Sequence, residues 1–328
     1  SSVVGFSHGS RRLVITFQDL GEKVMGQKGR RLVEAGIVIC QTSFVCAYFL
    51  FIGDSVERVI NKDGFFYSGT FWTLASTLAV VPLLYLKSIK ILVIPAILAD
   101  VIIVFGLVVI MVYDFIQIDK VHESVKAFNL LGVPFFFGIA VFAFEGINMI
   151  LPVEQSMADS SKFPGVFRQV ILHLTVAMII IGALSYSAFG SDTKNPILFS
   201  LPHNNLVKAV QIMYAIALFF SVPLQMFPAF NILESYDCFQ SVFRGNIYIH
   251  RLLVVLVCGG VASVVPNFGL LLNIIGAVGG TATAFILPSY LYMASKNDFT
   301  LWRPLAASIF GAIGGFIAFV MSCIAFAQ

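Results

Sequence analysis

Long apolar segments recur along nearly the whole chain, and they restrict its fold more than any other feature of the sequence. A helix rises 1.5 Å per residue, so about 20 apolar residues cross the roughly 30 Å hydrocarbon layer of a membrane. Composition agrees, because 59% of the residues are hydrophobic and 11% are charged, against about 25% charged in ordinary soluble domains. The chain is therefore predicted to be an all-α, polytopic membrane protein.

The apolar segments lack the alternation of barrel strands, which favours helices as the way to satisfy backbone polar groups in lipid. Nine spans are predicted within residues 32–326, and residues 1–328 are predicted to form a single transmembrane domain. The spans are Leu32–Phe51, Tyr67–Leu86, Ile91–Tyr113, Phe128–Val153, Val166–Phe189, Val207–Ile232, Leu252–Pro266, Leu270–Met293 and Leu305–Phe326. Pro82 predicts a kink in the second span, and the short seventh span could begin a few residues earlier.

Lysine and arginine are distributed unequally between the loops, and this predicts the orientation of the chain. Most of them lie in the N-terminal segment and in every second loop after it, including the loop from Glu154 to Arg168. These segments are predicted to be cytosolic, and the C-terminus is predicted to face the lumen or the exterior. Residues 1–31 are predicted to be a cytosolic connector, in which residues 13–31 form a short interfacial helix that stops at Gly29.

The sequence carries none of the common signatures of enzymes or metal sites. Four of the five cysteines fall in apolar spans and Cys238 falls in a loop, so no disulfide framework is predicted. Zinc-like Cys/His clusters, a P-loop, a dinucleotide fingerprint and catalytic Ser/His or paired-Asp spacings are absent from the sequence. The net charge of +3 does not indicate a nucleic-acid partner. Neither an enzyme nor a cofactor is predicted.

The chain begins SSVVGFSHGSRR, without an initiator methionine and without the pattern of a signal peptide. Further residues are therefore expected upstream of Ser1 in the natural protein.

One carboxylate, Glu145, lies inside an apolar segment, between Gly138 and Gly146. A charged group at the centre of a bilayer costs about 2.5–3.5 kcal/mol on insertion scales, so a membrane protein that keeps one usually uses it. The glycines predict that the helix unwinds here and frees main-chain amide and carbonyl groups. The alternative is a continuous helix whose glycines allow close packing.

Three stretches of the sequence resemble one family of transporters. The segment FFGIAVFAFEGINMILPVEQSM, followed by KFP, closely resembles the sixth transmembrane helix of the amino acid/auxin permease family, in its proton-coupled and vacuolar amino acid transporter branches. The segment TFQDLGEKVMGQKGRRLVEAGIVICQTSFVCAYFLFI resembles the intracellular connector and third helix of that family, and YAIALFFSVPLQMFPAFNILE resembles its eighth helix. By this resemblance the family's first two helices are absent from the sequence, which leaves nine of the usual eleven.

The resemblance implies a LeuT-like bundle with inverted repeats of five helices each, incomplete at the N-terminus. It implies secondary active transport of small neutral amino acids, with a proton as the coupling ion, in a vacuolar, lysosomal or plasma membrane. Transport by the family mechanism is expected only if the first helix exists in the natural protein. The implied substrate-binding residues are Phe142, Ala143, Phe144, Glu145, Gly146, Tyr48, Phe220, Ser221 and Gln225.

Two acids within the spans, Glu145 and Asp100, are the candidates for proton coupling. Glu145 could also bind the substrate amine, and either acid could instead form a structural hydrogen bond inside the bundle. Asp100 lies in an ADV stretch that resembles the vacuolar branches. His173 titrates near neutral pH, but its position close to Arg168 and the predicted interface favours an ordinary structural role.

Two late spans repeat one glycine pattern, in Gly276–Gly280 and Gly311–Gly315. Glycines at i, i+3 and i+4 flatten one face of a helix and predict close helix packing, and the first copy could also ease a hinge.

Two other functions stay open at the level of sequence. One is an amino-acid-sensing, receptor-like membrane protein without significant flux, and the other is a transporter that couples to sodium instead of protons.

Overall fold

The computed structural model describes residues 16–60, 64–85, 93–118, 125–237 and 246–327, and no strand occurs among them. The helices, numbered here in chain order, are α1 (Phe17–Ile60), α2 (Gly69–Ala79), α3 (Val81–Leu84), α4 (Val93–Gln117), α5 (Val133–Ala143), α6 (Ile147–Ser156), α7 (Phe163–Phe189), α8 (Asn205–Glu234), α9 (Ile247–Val264), α10 (Phe268–Ile275), α11 (Leu287–Lys296) and α12 (Trp302–Ala327). Two π-helical segments, Gly276–Gly280 and Ala282–Ile286, connect α10 to α11. Residues 1–15, which include the start of the predicted connector helix, and the loop around Cys238 lie outside the described residues.

Every predicted span coincides with one or more helices, which confirms the prediction of an all-α polytopic protein. In the described part, six helices are long and apolar enough to cross a membrane: Phe17–Ile60, Ile94–Gln117, Ser160–Asp192, Asn205–Glu234, Phe268–Lys296 and Trp302–Phe326. Three shorter apolar helices, Gly69–Leu84, Leu130–Ala143 and Tyr248–Val264, match the remaining spans. The second span is interrupted at Val80, just before Pro82.

Helix α1 lies at the centre of the bundle and packs against α8, α2, α9, α10 and α11. Val45 and Phe49 of α1 are fully buried against Val222 and Met226 of α8 and Val255 of α9. This apolar core joins α1, α3, α8, α9 and α10, and α2 packs on α1 and α9.

The outer helices α4, α7 and α12 carry many exposed apolar side chains, such as Val104, Ile179 and Phe316. An exposed apolar surface of this extent is expected to face lipid. Helix α7 packs mainly on α4, where the hydroxyl of Ser185 donates a hydrogen bond to the fully buried Asp114 at 2.6 Å.

The predicted stop of the connector helix at Gly29 is wrong, because α1 bends at Gly26 and continues to Ile60. Gly26 has φ 66° and ψ −156°, a backbone conformation that is open to glycine and strained for other residues. The bend folds Phe17–Met25 back, so that a methyl group on Gly29 would overlap the backbone of Gly21. Gly29 thus serves the close approach of the two helical arms.

Polar contacts fix the folded-back arm, here called the connector arm (Phe17–Met25), to the rest of α1. Arg30 donates hydrogen bonds to Glu22 at 2.7 Å and to the buried Glu34 at 2.8 Å. The hydroxyl of Tyr236, which follows α8, donates to the second oxygen of Glu34. The pKa of Tyr236 is raised from its ordinary value by burial and by the hydrogen bond to Glu34, so its hydroxyl stays a donor at neutral pH.

The two glycine patterns serve close packing, as the sequence predicts. A methyl group on Gly276 would overlap the backbone of Gly138 in α5, and one on Gly314 would overlap the ring of Phe137. The first pattern coincides with the π-helical segment Gly276–Gly280. Its use as a hinge stays a prediction.

Candidate functional site

The helix that contains Glu145 is broken at that residue. Helix α5 ends at Ala143, Phe144 lies in a turn, Glu145 and Gly146 are outside any helix, and α6 begins at Ile147. Gly146 has an extended φ of 176°, and among the described residues a methyl group on it would meet no atom within 4 Å. The prediction of an interrupted helix is therefore confirmed, and the break borders on open space.

Gly138 takes no part in the break, which corrects the prediction for that residue. It lies inside α5, against Asn273 of α10, and a methyl group on it would overlap the side chain and the carbonyl of Asn273. The alternative considered for the glycines, close packing, holds for Gly138 alone.

The break presents the ends of two short helices to the same region. The last carbonyls of a helix and its first amides have no partner within the helix. The amides of Phe144 and Glu145 still bond to the carbonyls of Ala140 at 3.1 Å and Phe142 at 3.3 Å, whereas Gly146 provides no side-chain cap for α6. The first turn of α6 therefore suits an anion, and the end of α5 suits a cation.

A cavity of about 370 Å³ lies beside the break. Its walls are formed by Gln41, Phe44 and Tyr48 of α1, by Phe142, Ala143, Glu145 and Gly146 at the break, and by Gln225 of α8. The three residues of α1 follow the i, i+3, i+7 spacing of a single helix face. This volume is within the range of pockets that hold small molecules.

Among the described residues that line this cavity, Glu145 is the one that carries a charge. The hydroxyl of Thr283, in the π-helical segment Ala282–Ile286, donates to Glu145 Oε1 at 3.4 Å, and the thiol of Cys40 is a second hydrogen-bond partner. Among the ion pairs of the described residues, none includes Glu145. Its hydrogen bonds come from neutral groups, which leaves the carboxyl group able to receive a cation or a proton.

An amide pair crosses from α8 to α1 at the cavity wall. Gln225 Nε2 donates a hydrogen bond to Gln41 Oε1 at 2.5 Å. Gln225 lies between Pro223 and Pro228, each of which removes a backbone hydrogen bond from the interior of α8.

The structure brings six of the nine predicted substrate-binding residues together. Tyr48, Phe142, Ala143, Glu145, Gly146 and Gln225 line the cavity. Phe144 lines a separate apolar pocket with Phe137 and Phe285. Phe220 is exposed, and the hydroxyl of Ser221 donates to the carbonyl of Ala217 at 2.8 Å.

The acids and the histidine of the other spans lie elsewhere. Asp100 is exposed on α4, so the expectation that it is buried inside the bundle is wrong; a role in proton coupling stays a prediction for it. The buried acid of α4 is Asp114, which sequence reasoning passed over. His173 is exposed, and its Nδ1 lies 2.7 Å from the carbonyl of Gln169.

Sequence reasoning also missed Gln41, Phe44, Cys40 and Thr283. Gln41 carries a signal that could have been used, since a polar side chain in the middle of an apolar span raises the same question as Glu145. Phe44, Cys40 and Thr283 carry no such signal in the sequence, because residues of these types are common in membrane helices.

Membrane-length helices around a cavity, with one helix broken at a carboxylate, are the architecture typical of solute-transporter folds. Comparison with known proteins gives the family: the chain belongs to the family described as transmembrane amino acid transporter protein, whose model matches residues 6–328.

Individual relatives carry similar names. The chain is 28% identical to vacuolar amino acid transporter 4 of Saccharomyces cerevisiae over 90% of the chain and 47% of that protein. It is 30% identical to vacuolar amino acid transporter 3 of Schizosaccharomyces pombe, over 92% of the chain and 47% of the relative. It is 33% identical to amino acid transporter AVT3B of Arabidopsis thaliana, over 90% of the chain and 73% of the relative. The chain thus spans about half the length of the two fungal relatives.

Proposed function

We propose that the protein is a secondary active transporter of small neutral amino acids, with a proton as the coupling ion, in a vacuolar or lysosomal membrane. The observation that carries the proposal is the broken helix beside the 370 Å³ cavity, with Glu145 at the break. Family membership and the names of the relatives support amino acids as the substrate class and the vacuole as the location.

The geometry of the break suits both charged groups of an amino acid. The substrate carboxylate would lie at the first turn of α6, where amides without helical partners and the helix dipole favour an anion. The ammonium group would lie at the carbonyl end of α5, near Glu145. Each of the two charged groups of a neutral amino acid would thereby lie at a helix end of suitable polarity.

Glu145 is the proposed proton carrier. Burial in an apolar environment favours the protonated form of a carboxyl group, and nearby positive charge favours the ionised form. An arriving ammonium group would therefore change the proton affinity of Glu145, and this change would link substrate binding to proton binding. Because the partners Thr283 and Cys40 are neutral, the substrate would be the main cation near Glu145.

Alternating access would involve movement of α5 and α6 against the helices packed around α1. Helix α5 packs mainly on α10, the π-helical segment Gly276–Gly280 and α12, whereas α1 packs mainly on α8, α2 and α9. The cavity lies between these two groups of helices, where relative movement would open one side and close the other.

The test is uptake of labelled amino acids into proteoliposomes that contain the natural full-length protein. An imposed pH gradient is expected to drive uptake of neutral amino acids, and a proton ionophore is expected to abolish it. Glu145→Gln keeps the size and hydrogen bonding of the side chain but cannot lose a proton. It should reduce gradient-driven uptake to near the level of protein-free liposomes, and exchange without a gradient should continue.

Glu154→Gln is the matched control, because Glu154 lies on α6 outside the cavity. It should leave gradient-driven uptake unchanged. Replacement of sodium by choline at fixed pH tests the sodium alternative, since loss of uptake under that change would contradict proton coupling. Binding of amino acids without any exchange in counterflow would indicate a sensor and would refute transport.

A further inference from the structure

The amide pair Gln41–Gln225 lies where the side chain of a bound amino acid would be directed. If the break holds the carboxylate and the ammonium group, the side chain of the substrate must extend toward the walls formed by α1 and α8. Gln41 and Gln225 provide the hydrogen-bonding groups of those walls, together with the hydroxyl of Tyr48.

The pair has hydrogen-bonding capacity to spare. A primary amide offers two N–H donors and an oxygen with two lone pairs. The mutual bond uses one donor of Gln225 and one acceptor site of Gln41, and the described residues supply neither side chain with another hydrogen bond. Gln41 is only 5% exposed, so an unused donor there has few alternatives to a partner inside the cavity. Neither glutamine has a fully buried, unpaired side-chain atom, so the unused groups keep accessible surface and can bind a ligand in the cavity that both residues line.

The remaining groups restrict the charge and shape of that side chain. Among the described residues, no cationic side chain lines the cavity, so an acidic side chain would lack a counter-charge, and the carboxylate of Glu145 faces the ammonium group rather than a second cation. The ring centroids of Phe44 and Phe142 are 4.8 Å apart, and the two rings provide an apolar surface for methylene groups. The walls therefore suit a short aliphatic stem with an uncharged polar end.

We infer that Gln41 and Gln225 are specificity-determining residues, which bind the carboxamide or hydroxyl of the substrate side chain and favour such substrates over aliphatic ones of equal size. The inference rests on the proposed function and adds the substrate class to it. An aliphatic side chain would leave the spare amide groups unpaired, which is the situation in which a polar site discriminates most strongly.

The test compares glutamine with leucine, which have side chains of similar size, in proteoliposomes of the full-length protein. The ratio of kcat/KM for the two substrates is measured for the unchanged protein and for Gln41→Leu, Gln225→Leu and the double variant. Each single variant should lower the glutamine-to-leucine ratio by about tenfold, the effect of one lost hydrogen bond. The double variant, which leaves no unpaired amide, should lower the ratio further and transport leucine best.

The matched control is Gln211→Leu, on the same helix. Gln211 is buried outside the cavity, and its Nε2 lies 3.5 Å from the carbonyl of Leu198. Its substitution removes a buried amide from α8 and should leave the substrate ratio unchanged.

Two results would overturn the inference. One is an unchanged ratio in variants that still transport, and the other is a parallel loss of glutamine and leucine transport, which indicates a structural pair. Where a leucine variant does not fold, Gln41→Met and Gln225→Met keep an unbranched shape and should lower the ratio in the same way. If the unchanged protein takes up no amino acid, the proposed function itself fails. If it takes up amino acids but the glutamine-to-leucine ratio does not change in the variants, only the role assigned to Gln41 and Gln225 is contradicted.

Discussion

At the scale of single residues, Gly138 and Gly146 are expected to respond in opposite ways to the same added methyl group. Gly138→Ala would drive a methyl group into Asn273, and overpacking of this kind costs about 1–3 kcal/mol. Gly146→Ala meets open space among the described residues, and the φ of Gly146 lies outside the left-handed region that favours glycine. Thermal unfolding in detergent should therefore show a lower Tm for Gly138→Ala and an almost unchanged Tm for Gly146→Ala.

Transport assays should also distinguish Gly146→Ala from Gly138→Ala. The methyl group of Gly146→Ala would enter the cavity wall, so the KM for amino acids should rise although the protein stays folded. A lower Tm for Gly146→Ala, equal to that of Gly138→Ala, would contradict the open cavity at this residue.

These residues also show what the sequence does and does not reveal. Glu145 stands out because a carboxylate within an apolar span is costly, and the break appears where that argument places it. Gly138 and Gly146 look alike in the sequence, and they differ only because Asn273, far along the chain, packs against the first. The same holds for Asp100 and Asp114, whose burial depends on the helices that pack against α4.

At the scale of elements, the bend at Gly26 sets the position of the connector arm beside the broken helix. Phe17 and Leu20 of the arm line a pocket together with Ile147 and Leu151 of α6. The arm therefore contacts the half-helix that begins directly after the break. Its placement depends on one backbone conformation that strains any residue with a side chain.

Gly26→Ala is expected to loosen the connector arm. The added methyl group meets no atom of the described residues within 4 Å, so the expected effect comes from the backbone at φ 66°, where strain costs about 1–3 kcal/mol. Hydrogen exchange followed by mass spectrometry should show faster exchange of the amides in Phe17–Met25. The remainder of the bundle should keep its protection.

Gly165→Ala is the control for this experiment. Gly165 lies in helix α7 with free space around it, and alanine favours a helix more than glycine does. Amide hydrogen exchange in the Gly165→Ala variant should stay the same or become slower. Equal exchange of the connector arm in Gly26→Ala and in the unchanged protein would show that the bend does not depend on glycine.

The helices themselves and the break at Glu145 were accessible to prediction, whereas the bend at Gly26 and the π-helical segments were not. Apolar runs of sufficient length determine where a span lies, which is why each predicted span has a helix. The bend at Gly26 and the π-helical segments between α10 and α11 depend on close contacts with distant residues, such as the approach of Gly276 to Gly138. A glycine in the sequence indicates that such a contact is allowed, without indicating its partner.

At the scale of the whole molecule, the division into a buried centre and an apolar exterior follows from the surroundings that a membrane provides. Helices α4, α7 and α12 expose large apolar side chains, and α1 is surrounded by other helices. The sequence predicts apolar spans in both cases, since lipid and protein interior favour the same residues. The inverted-repeat arrangement stays an expectation from the family.

The number of crossings gives the last prediction, because it determines which loops share a side of the membrane. Lys162 precedes α7, Lys194 follows it, and Lys296 ends α11, and all three side chains are exposed. One span, α7, separates the first two, and three spans separate Lys194 from Lys296 if the short helix α9 crosses. At about 1.5 Å per residue, the 18 residues of α9 reach roughly 27 Å, close to the hydrocarbon thickness.

In a variant without reactive native cysteines, Lys162→Cys and Lys296→Cys should react with an impermeant maleimide from the cytosolic side, and Lys194→Cys only after the membrane is opened. Labelling of Lys296→Cys together with Lys194→Cys would mean that α9 does not cross, and labelling of Lys162→Cys from the opposite side would reverse the orientation that the lysine and arginine distribution predicts.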